Sequence, residues 1–150
     1  MKKAPLIILL AYTACVSYVH RQQEVQDAMQ RYDRLVQKMD ADSIALLYTA
    51  DGDLGTIAHG RDSIRRFLSS FKNVSLLRVT SSTDSLAMTG DTAFQSGHYE
   101  QSGLMNGKDT FFATGIYHAQ WVWIKKEGGW HIKKMTTQAE NMRYGQRDHS

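Results

Sequence analysis

The second half of the chain shows hydrophobic positions with a period of two, which indicates β-strands. From Thr89 to Thr137 this pattern predicts three antiparallel strands joined by tight turns at Asn106-Gly107 and Gly128-Gly129. Both dipeptides favour the positive φ that two-residue hairpin turns require. Thr110 to Lys126 is rich in Phe, Ile, Tyr, Trp and Val, which suit a half-buried pleated surface.

The first half shows the three- and four-residue spacing of amphipathic helices. One helix is predicted over Arg21 to Met39, a second follows Asp42 as its N-cap, and a third opens at Gly60. Val74 to Met88 then predicts one long strand, or two pieces joined around the Ser/Thr-rich stretch Thr80 to Ser85. Helices first and a strand meander afterwards predict an α+β fold.

Length and composition describe one globular domain: 150 residues, of which 42% are hydrophobic and 22% charged. The formal net charge is +3, and Lys2 and Lys3 supply two of those positive charges. No basic cluster is interleaved with aromatic residues, so we expect no nucleic-acid partner.

The N-terminus has the pattern of an export signal. Lys2-Lys3 precede an apolar run from Leu6 to Tyr12, which is too short to span a bilayer, and Cys15 follows small residues. The pattern resembles a bacterial lipoprotein signal, which implies lipidation of Cys15, although Tyr12 departs from the usual Leu and ordinary secretion remains an alternative. The predicted organisation is a signal peptide over 1–14, a linker over 15–20, the domain over 21–138 and a polar tail over 139–150. We expect an exported, periplasmic or cell-envelope protein that meets a membrane only through the lipid.

The chain carries six short motifs, which are Gly90-Asp91-x-Ala93, Gly97-x-Tyr99, Gly115-x-Tyr117-x-x-x-Trp121, Gly128-Gly129-Trp130-x-Ile132, Gly60-Arg61-Asp62-Ser63-Ile64 and Tyr48-x-x-Asp51-Gly52. Together these motifs resemble the nuclear-transport-factor-2-like superfamily, and within it the small bacterial SnoaL-like proteins. The resemblance covers about Glu24 to Gln138. It implies a cone, in which a curved sheet wraps around three helices and encloses a pocket. Such folds include enzymes, binders and assembly domains, so the fold leaves the function open.

If both turns have two residues, the register predicts which side chains share a face. Ser96 then lies opposite Tyr117, and Trp123 lies opposite Lys134. Comparison with a related kinase association domain implies that the face carrying Trp121 points into the cone. Together with two helix tyrosines, the predicted pocket comprises Tyr32, Tyr48, Phe94, Ser96, His98, Tyr117, Trp121, Trp123, Lys134 and Thr136.

Candidate catalytic groups are few. Against ketosteroid isomerase, a relative by resemblance, Tyr32 matches the oxyanion tyrosine, but the base position falls on Thr56, which cannot accept a proton near neutral pH. His98 and Asp51 remain the candidates for a general base. The six His residues show no zinc-site spacing, so we expect neither a metal nor a cofactor.

These observations favour a non-catalytic domain that binds a small, partly apolar molecule in the cone. One alternative is a cyclase, isomerase or dehydratase that uses His98 or Asp51. A second is an interaction module whose cone is filled by its own side chains. We expect Lys134 to meet a carboxylate, a ring or a ligand anion. A homodimer is also expected, because the other sheet face carries Ile116, Val122, Ile124 and Met135.

Overall fold

A computed structural model describes the backbone of residues 4–145 and the side chains of residues 21–145. The chain forms, in order, α1 (Ala4–Gln37), α2 (Ala41–Leu47), β1 (Tyr48–Leu54), β2 (Ala58–His59), α3 (Arg61–Ser69), β3 (Val74–Thr89), β4 (Thr92–Met105), β5 (Asp109–Ile124) and β6 (Gly129–Tyr144).

The strands form one six-stranded sheet in the order β2-β1-β6-β5-β4-β3. Every neighbouring pair is antiparallel except β1 and β6, which run parallel. The three helices pack against one side of this curved sheet. We call that side the covered face and the opposite side the outer face. The predicted α+β cone fold is confirmed.

The core lies between the helices and the covered face. Its largest fully buried side chains are those of Trp121, Tyr48, Tyr117, Ile44, Ile64, Ile132, Met135 and Val25. Val25 and Met29 come from the predicted apolar stripe of α1, while Trp121 and Ile132 face each other across β5 and β6. Burial of these apolar groups is the main force that holds the helices on the sheet.

Several predicted boundaries change. The segment 15–20, predicted as a linker, belongs to α1, and the side chain of Cys15 lies outside those that the structure describes. The N-cap of α2 is Asp40 and not Asp42, because the Asp40 carboxylate accepts the Ser43 amide at 3.0 Å. The polar tail predicted from 139 is strand as far as Tyr144, paired with the start of β5, and 146–150 lie outside the described residues.

The hairpin registers differ from the two-residue turns predicted above. Asn106 and Gly107 do have positive φ, but Met105 pairs with Asp109, so the β4–β5 loop has three residues. This shift by one residue brings Gly97, instead of Ser96, opposite Tyr117. Because side chains alternate along a strand, the shift moves the whole predicted set of β4 to the other face.

The β5–β6 hairpin changes in two steps. Ile124 pairs with Gly129 across a four-residue loop, so Trp121 lies opposite Ile132 and Trp123 opposite Trp130. An irregularity between Gln120 and Trp121 leaves Lys133 unpaired in this ladder. Beyond this bulge the alternation of β6 is reversed, which turns Lys134 and Thr136 away from the covered face.

Candidate functional site

A chain of polar side chains crosses the covered face beneath α1, from the buried Trp121 and Gln95 to the exposed Thr83. The Trp121 indole donates to the Gln95 amide oxygen at 2.9 Å, and the Gln95 amide nitrogen donates to the Thr83 hydroxyl at 2.8 Å. The Tyr117 hydroxyl lies 3.4 Å from that same Thr83 oxygen. Buried polar groups need such partners, so this chain holds the three strands in one register.

Asp33 of α1 lies next to this chain and is 8% exposed. Its carboxylate accepts the Ser81 hydroxyl at 2.7 Å. Burial raises the pKa of Asp33, and the hydrogen bonds from Ser81 offset only part of that rise. The site therefore holds a carboxylate that is a stronger base than a solvated aspartate, on a helix position that otherwise belongs to an apolar stripe.

A cleft of about 290 Å³ opens between α1 and β3 directly at this carboxylate. It is lined by Gln26, Met29, Gln30, Asp33, Ser81 and Thr83. Ligand pockets commonly occupy about 300–1,000 Å³, so this cleft suits a molecule no larger than a substituted single ring. The lining has one apolar side chain, Met29, among five polar ones.

Tyrosine hydroxyls form a second polar feature of the covered face. The rings of Tyr32 and Tyr48 meet edge to face with their centroids 6.5 Å apart. The Tyr48 hydroxyl is buried, and no described residue gives it a hydrogen bond of good geometry. Burial, and then the neighbouring Tyr32, raise the pKa of Tyr48 well above its ordinary value, so this hydroxyl remains a proton donor.

The predicted pocket residues divide between the two faces. Tyr32, Tyr48, Tyr117, Trp121 and Trp123 lie on the covered side, although Tyr48, Tyr117 and Trp121 are at most 1% exposed and fill the cone instead of lining open space.

The prediction is wrong for Phe94, Ser96, His98, Lys134 and Thr136, which lie on the outer face. The three-residue β4–β5 loop places Phe94, Ser96 and His98 on the outer face. The bulge at Lys133 does the same for Lys134 and Thr136. Apart from His98, they line a separate outer groove of about 440 Å³ together with His118 and Gln120. Lys134 is therefore a solvent-exposed strand residue and not a charge inside the cone.

Neither predicted general base lies at the cleft. His98 is exposed, and its Nδ1 lies 2.7 Å from a carboxylate oxygen of Asp84. Asp51 is exposed on β1, where the hydrogen bond from Lys133 at 2.6 Å, and then that from Thr49, lower its pKa. A lowered pKa makes a carboxylate a weaker base, so Asp51 is unsuited to that role. Thr56 lies in the exposed turn between β1 and β2.

The sequence carried a signal for the residues that were missed. Asp33 is a charged residue inside the apolar stripe of α1, between Met29 and Val36. Charged residues are rarely buried unless they are paired, so this position indicates a polar partner or a site. Ser81 and Thr83 alternate along β3, in the stretch that we considered as a possible break between two strands. Gln95 gave no signal, because its face depended on the register.

A metal centre and a membrane-spanning helix are two further features to consider in the described residues. The described side chains include no group of three or more His, Cys, Asp or Glu placed to hold a metal ion. Over the part of the chain covered by the structure, no helix has the length and apolar character that crossing a membrane requires.

Comparison with known proteins adds a family and a set of structural relatives. Residues 17–136 match a family described as a SnoaL-like domain. No curated protein sequence matches the chain.

The solved structures with similar folds are distant in sequence. A candidate scytalone dehydratase from Novosphingobium aromaticivorans aligns with a TM-score of 0.75 at 15% identity, covering 89% of this chain and 93% of that one. A hexachlorocyclohexane dehydrochlorinase (LinA, type 2) gives 0.71 at 12% identity, covering 90% and 95%. ActVI-ORFA from Streptomyces coelicolor gives 0.68 at 16% identity, covering 81% and 98%. At these identities the likeness concerns the fold alone.

Proposed function

The chain belongs to the SnoaL-like family, and from that premise we propose that it binds a small, partly apolar molecule in the cleft between α1 and β3. The observation that carries this proposal is the buried Asp33 carboxylate at a cleft of about 290 Å³. A carboxylate in such a place is costly unless something donates to it, and Ser81 is its one hydrogen-bonding side chain among those described. A ligand that brings a hydroxyl or amine donor meets this need.

The size and lining of the cleft define the ligand class. Met29 offers an apolar contact, while Gln26, Gln30 and Thr83 offer donors and acceptors around the rim. A single ring that carries one or two hydroxyl groups fits both the volume and the polarity. Larger polycyclic ligands require the cone to open, because Tyr117 and Trp121 already fill its interior.

The test compares two probes of nearly equal shape, 4-methylphenol and 4-fluorotoluene, which differ in the donor hydroxyl. Binding to the full chain is followed by the methyl NMR signal of Met29, which lines the cleft. We expect 4-methylphenol to shift this signal, and Asp33→Leu to weaken its binding by about tenfold, equivalent to about 1.4 kcal/mol. Asp27→Leu, a matched change of an exposed residue on the same helix, leaves binding unchanged. Equal affinity of the two probes, or undiminished binding by Asp33→Leu, contradicts the proposal.

A second candidate function is proton-transfer catalysis, as in an isomerase or dehydratase, with Asp33 as the general base in place of His98 or Asp51. The raised pKa of Asp33 favours it, because a buried carboxylate accepts a proton more readily than an exposed one. The names of two structural relatives, a dehydratase and a dehydrochlorinase, agree with chemistry that removes a proton.

This candidate has a test that does not need the natural substrate. Small cyclic ketones in D₂O exchange their α-hydrogens when a base removes them, and NMR measures the rate. Catalysis by Asp33 predicts exchange that is faster with wild type than with Asp33→Asn. If both proteins leave the background rate unchanged while phenols bind, the domain is a binder and not an enzyme of this kind.

Export and anchoring through Cys15 complete the proposal, and the basic, apolar and small-residue order of the first fifteen residues supports them. Intact-mass measurement of the protein from bacterial membranes is the test. We expect a lipidated N-terminal cysteine in wild type and none in Cys15→Ser. An intact Met1 in the recovered protein contradicts export with cleavage.

A further inference from the structure

A second cleft lies on the opposite flank of α1, where this helix meets α2 and the β5–β6 hairpin. Its volume is about 710 Å³, more than twice that of the cleft at Asp33. Its lining includes Arg31, Arg34, Leu46, Trp123 and Trp130. The two clefts share no residue, so a ligand in one does not need the other.

The acidic side chains of this cleft have hydrogen-bonding or ionic partners, whereas its two arginines, both on α1, have neither among the described side chains. All three of its carboxylates have partners: Glu24 accepts the Trp130 indole at 3.2 Å and Asp27 accepts the Gln23 amide at 2.9 Å. Glu127, the third, is held by Arg61 at 3.0 Å and by His131 at 2.7 Å.

The two arginines of the cleft, both on α1, are less well satisfied. Among the side chains that the structure describes, neither Arg31 nor Arg34 forms a hydrogen bond or an ion pair, and the charge of Arg34 acts only at longer range on the neighbouring Asp33 carboxyl. Residues three apart on a helix are surface neighbours, so both guanidinium groups can approach one anion. A guanidinium presents a planar fork of donors that matches a carboxylate.

Leu46, Trp123 and Trp130 belong to the apolar part of this cleft. Leu46 is 55% exposed and is one of the most exposed large hydrophobic side chains of the described chain. Trp123 and Trp130 pack edge to face with centroids 5.8 Å apart and form an aromatic wall. This wall, Leu46 and the two arginines line the same cleft, so one ligand there can meet both apolar and cationic groups.

We propose that this cleft is a second binding site, whose ligand is a small planar carboxylate such as an aromatic acid. Arg31 and Arg34 hold the carboxylate through charge-assisted hydrogen bonds. Trp123 and Leu46 contact the apolar ring. The paired carboxylates of Glu24, Asp27 and Glu127 disfavour a second anionic group, so the site selects a monoanion with an extended apolar body.

The test uses 2-naphthoate and its neutral analogue 2-naphthamide with the full chain. The chain has three tryptophans, and their indole N–H signals separate the two clefts in an NMR spectrum. Trp123 and Trp130 line this cleft, whereas the Trp121 indole is buried and bonded to Gln95. We expect 2-naphthoate to shift the signals of Trp123 and Trp130 in a saturable way and to leave that of Trp121 in place.

Charge is tested by substitution. We expect 2-naphthamide to bind about tenfold more weakly than 2-naphthoate, and the double variant Arg31→Gln/Arg34→Gln to lose the preference, a difference equivalent to about 1.4 kcal/mol. Arg78→Gln removes an exposed cation on β3 and serves as the matched control. We expect this variant to keep the preference for 2-naphthoate. Equal affinity for acid and amide in wild type overturns the proposal, as does unchanged preference in the double variant. A shift of Trp121 alone also overturns it, because the probe then binds near Asp33.

Discussion

The indole of Trp121 on β5 donates to the amide oxygen of Gln95 on β4 at 2.9 Å, in the buried centre of the sheet. Both side chains are at most 2% exposed, so water does not replace this bond if one partner is lost. Gln95 also donates to Thr83, which ties three neighbouring strands together. The polar chain on the covered face therefore depends on a single amide.

Replacing that amide tests how much the register depends on it. Gln95→Met keeps the size of the side chain but leaves the Trp121 indole buried without an acceptor. We expect a loss of about 1–3 kcal/mol in the free energy of unfolding, the usual cost of such an unsatisfied group. Urea denaturation measures it, with Gln120→Met on the outer face as a control that changes little. Equal stability of the two variants contradicts the structural role of Gln95.

Close approach at Gly97 gives a second prediction. A Cβ added there lies within 3.0 Å of both the Ser82 backbone and the Tyr117 ring. Because backbone atoms cannot move aside cheaply, we expect Gly97→Ala to destabilise the domain by about 2 kcal/mol or more. Gly129→Ala is the control, since its nearest neighbour is a ring atom of His131 at 4.0 Å. Thermal unfolding of both variants decides the point.

Asp33 has a predicted effect on stability as well as on binding. Since burial raises its folded-state pKa, the fold favours the protonated form, and this contribution to stability is lost as pH rises through that pKa. Asp33→Asn removes the titration, so we expect it to stabilise the domain at pH 7 and to have a much smaller effect at pH 3, where the wild-type carboxyl is protonated. Denaturation at the two pH values measures this. A variant less stable than wild type at pH 7 contradicts the sign.

Asp51 and His98, which the sequence suggests as general bases, make only exposed contacts, so we expect no role for them at the Asp33 cleft. Asp51→Asn and His98→Gln alter contacts with Lys133 and Asp84 that solvent already screens. We expect both variants to bind 4-methylphenol as wild type does and to leave any ketone exchange unchanged. Loss of either property in either variant moves the site away from Asp33.

The outer face supports an expectation about assembly. Phe94 is 53% exposed there, next to a groove of about 440 Å³, and Ile116 and Val122 are only partly buried. Met135, first assigned to this face, is instead buried in the core. We expect two copies to pair through the outer face, and Phe94→Glu to give monomers at tens of micromolar, roughly where a standard interface holds. Sedimentation of wild type as a monomer at that concentration contradicts the pairing.

The sequence by itself determined the elements and the fold class. Periodicity located α1 and the long strands, and Asn106-Gly107 marked a hairpin whose positive φ values the structure contains. The short motifs, taken in their order along the chain, then indicated the family. Each motif reflects a requirement of the local backbone, and such a requirement is visible in a few neighbouring residues. Tyr32, Tyr48, Tyr117 and Trp121 were also placed correctly on the covered side.

Only the tertiary structure decided which side chains face the helices. One extra residue in the β4–β5 loop turned His98 outward, and one bulge at Lys133 did the same to Lys134. A change from a two-residue to a three-residue loop exchanges the two faces of a strand, because side chains alternate with a period of two. The site at Asp33 and Ser81 joins positions 48 residues apart, and no local pattern encodes that contact.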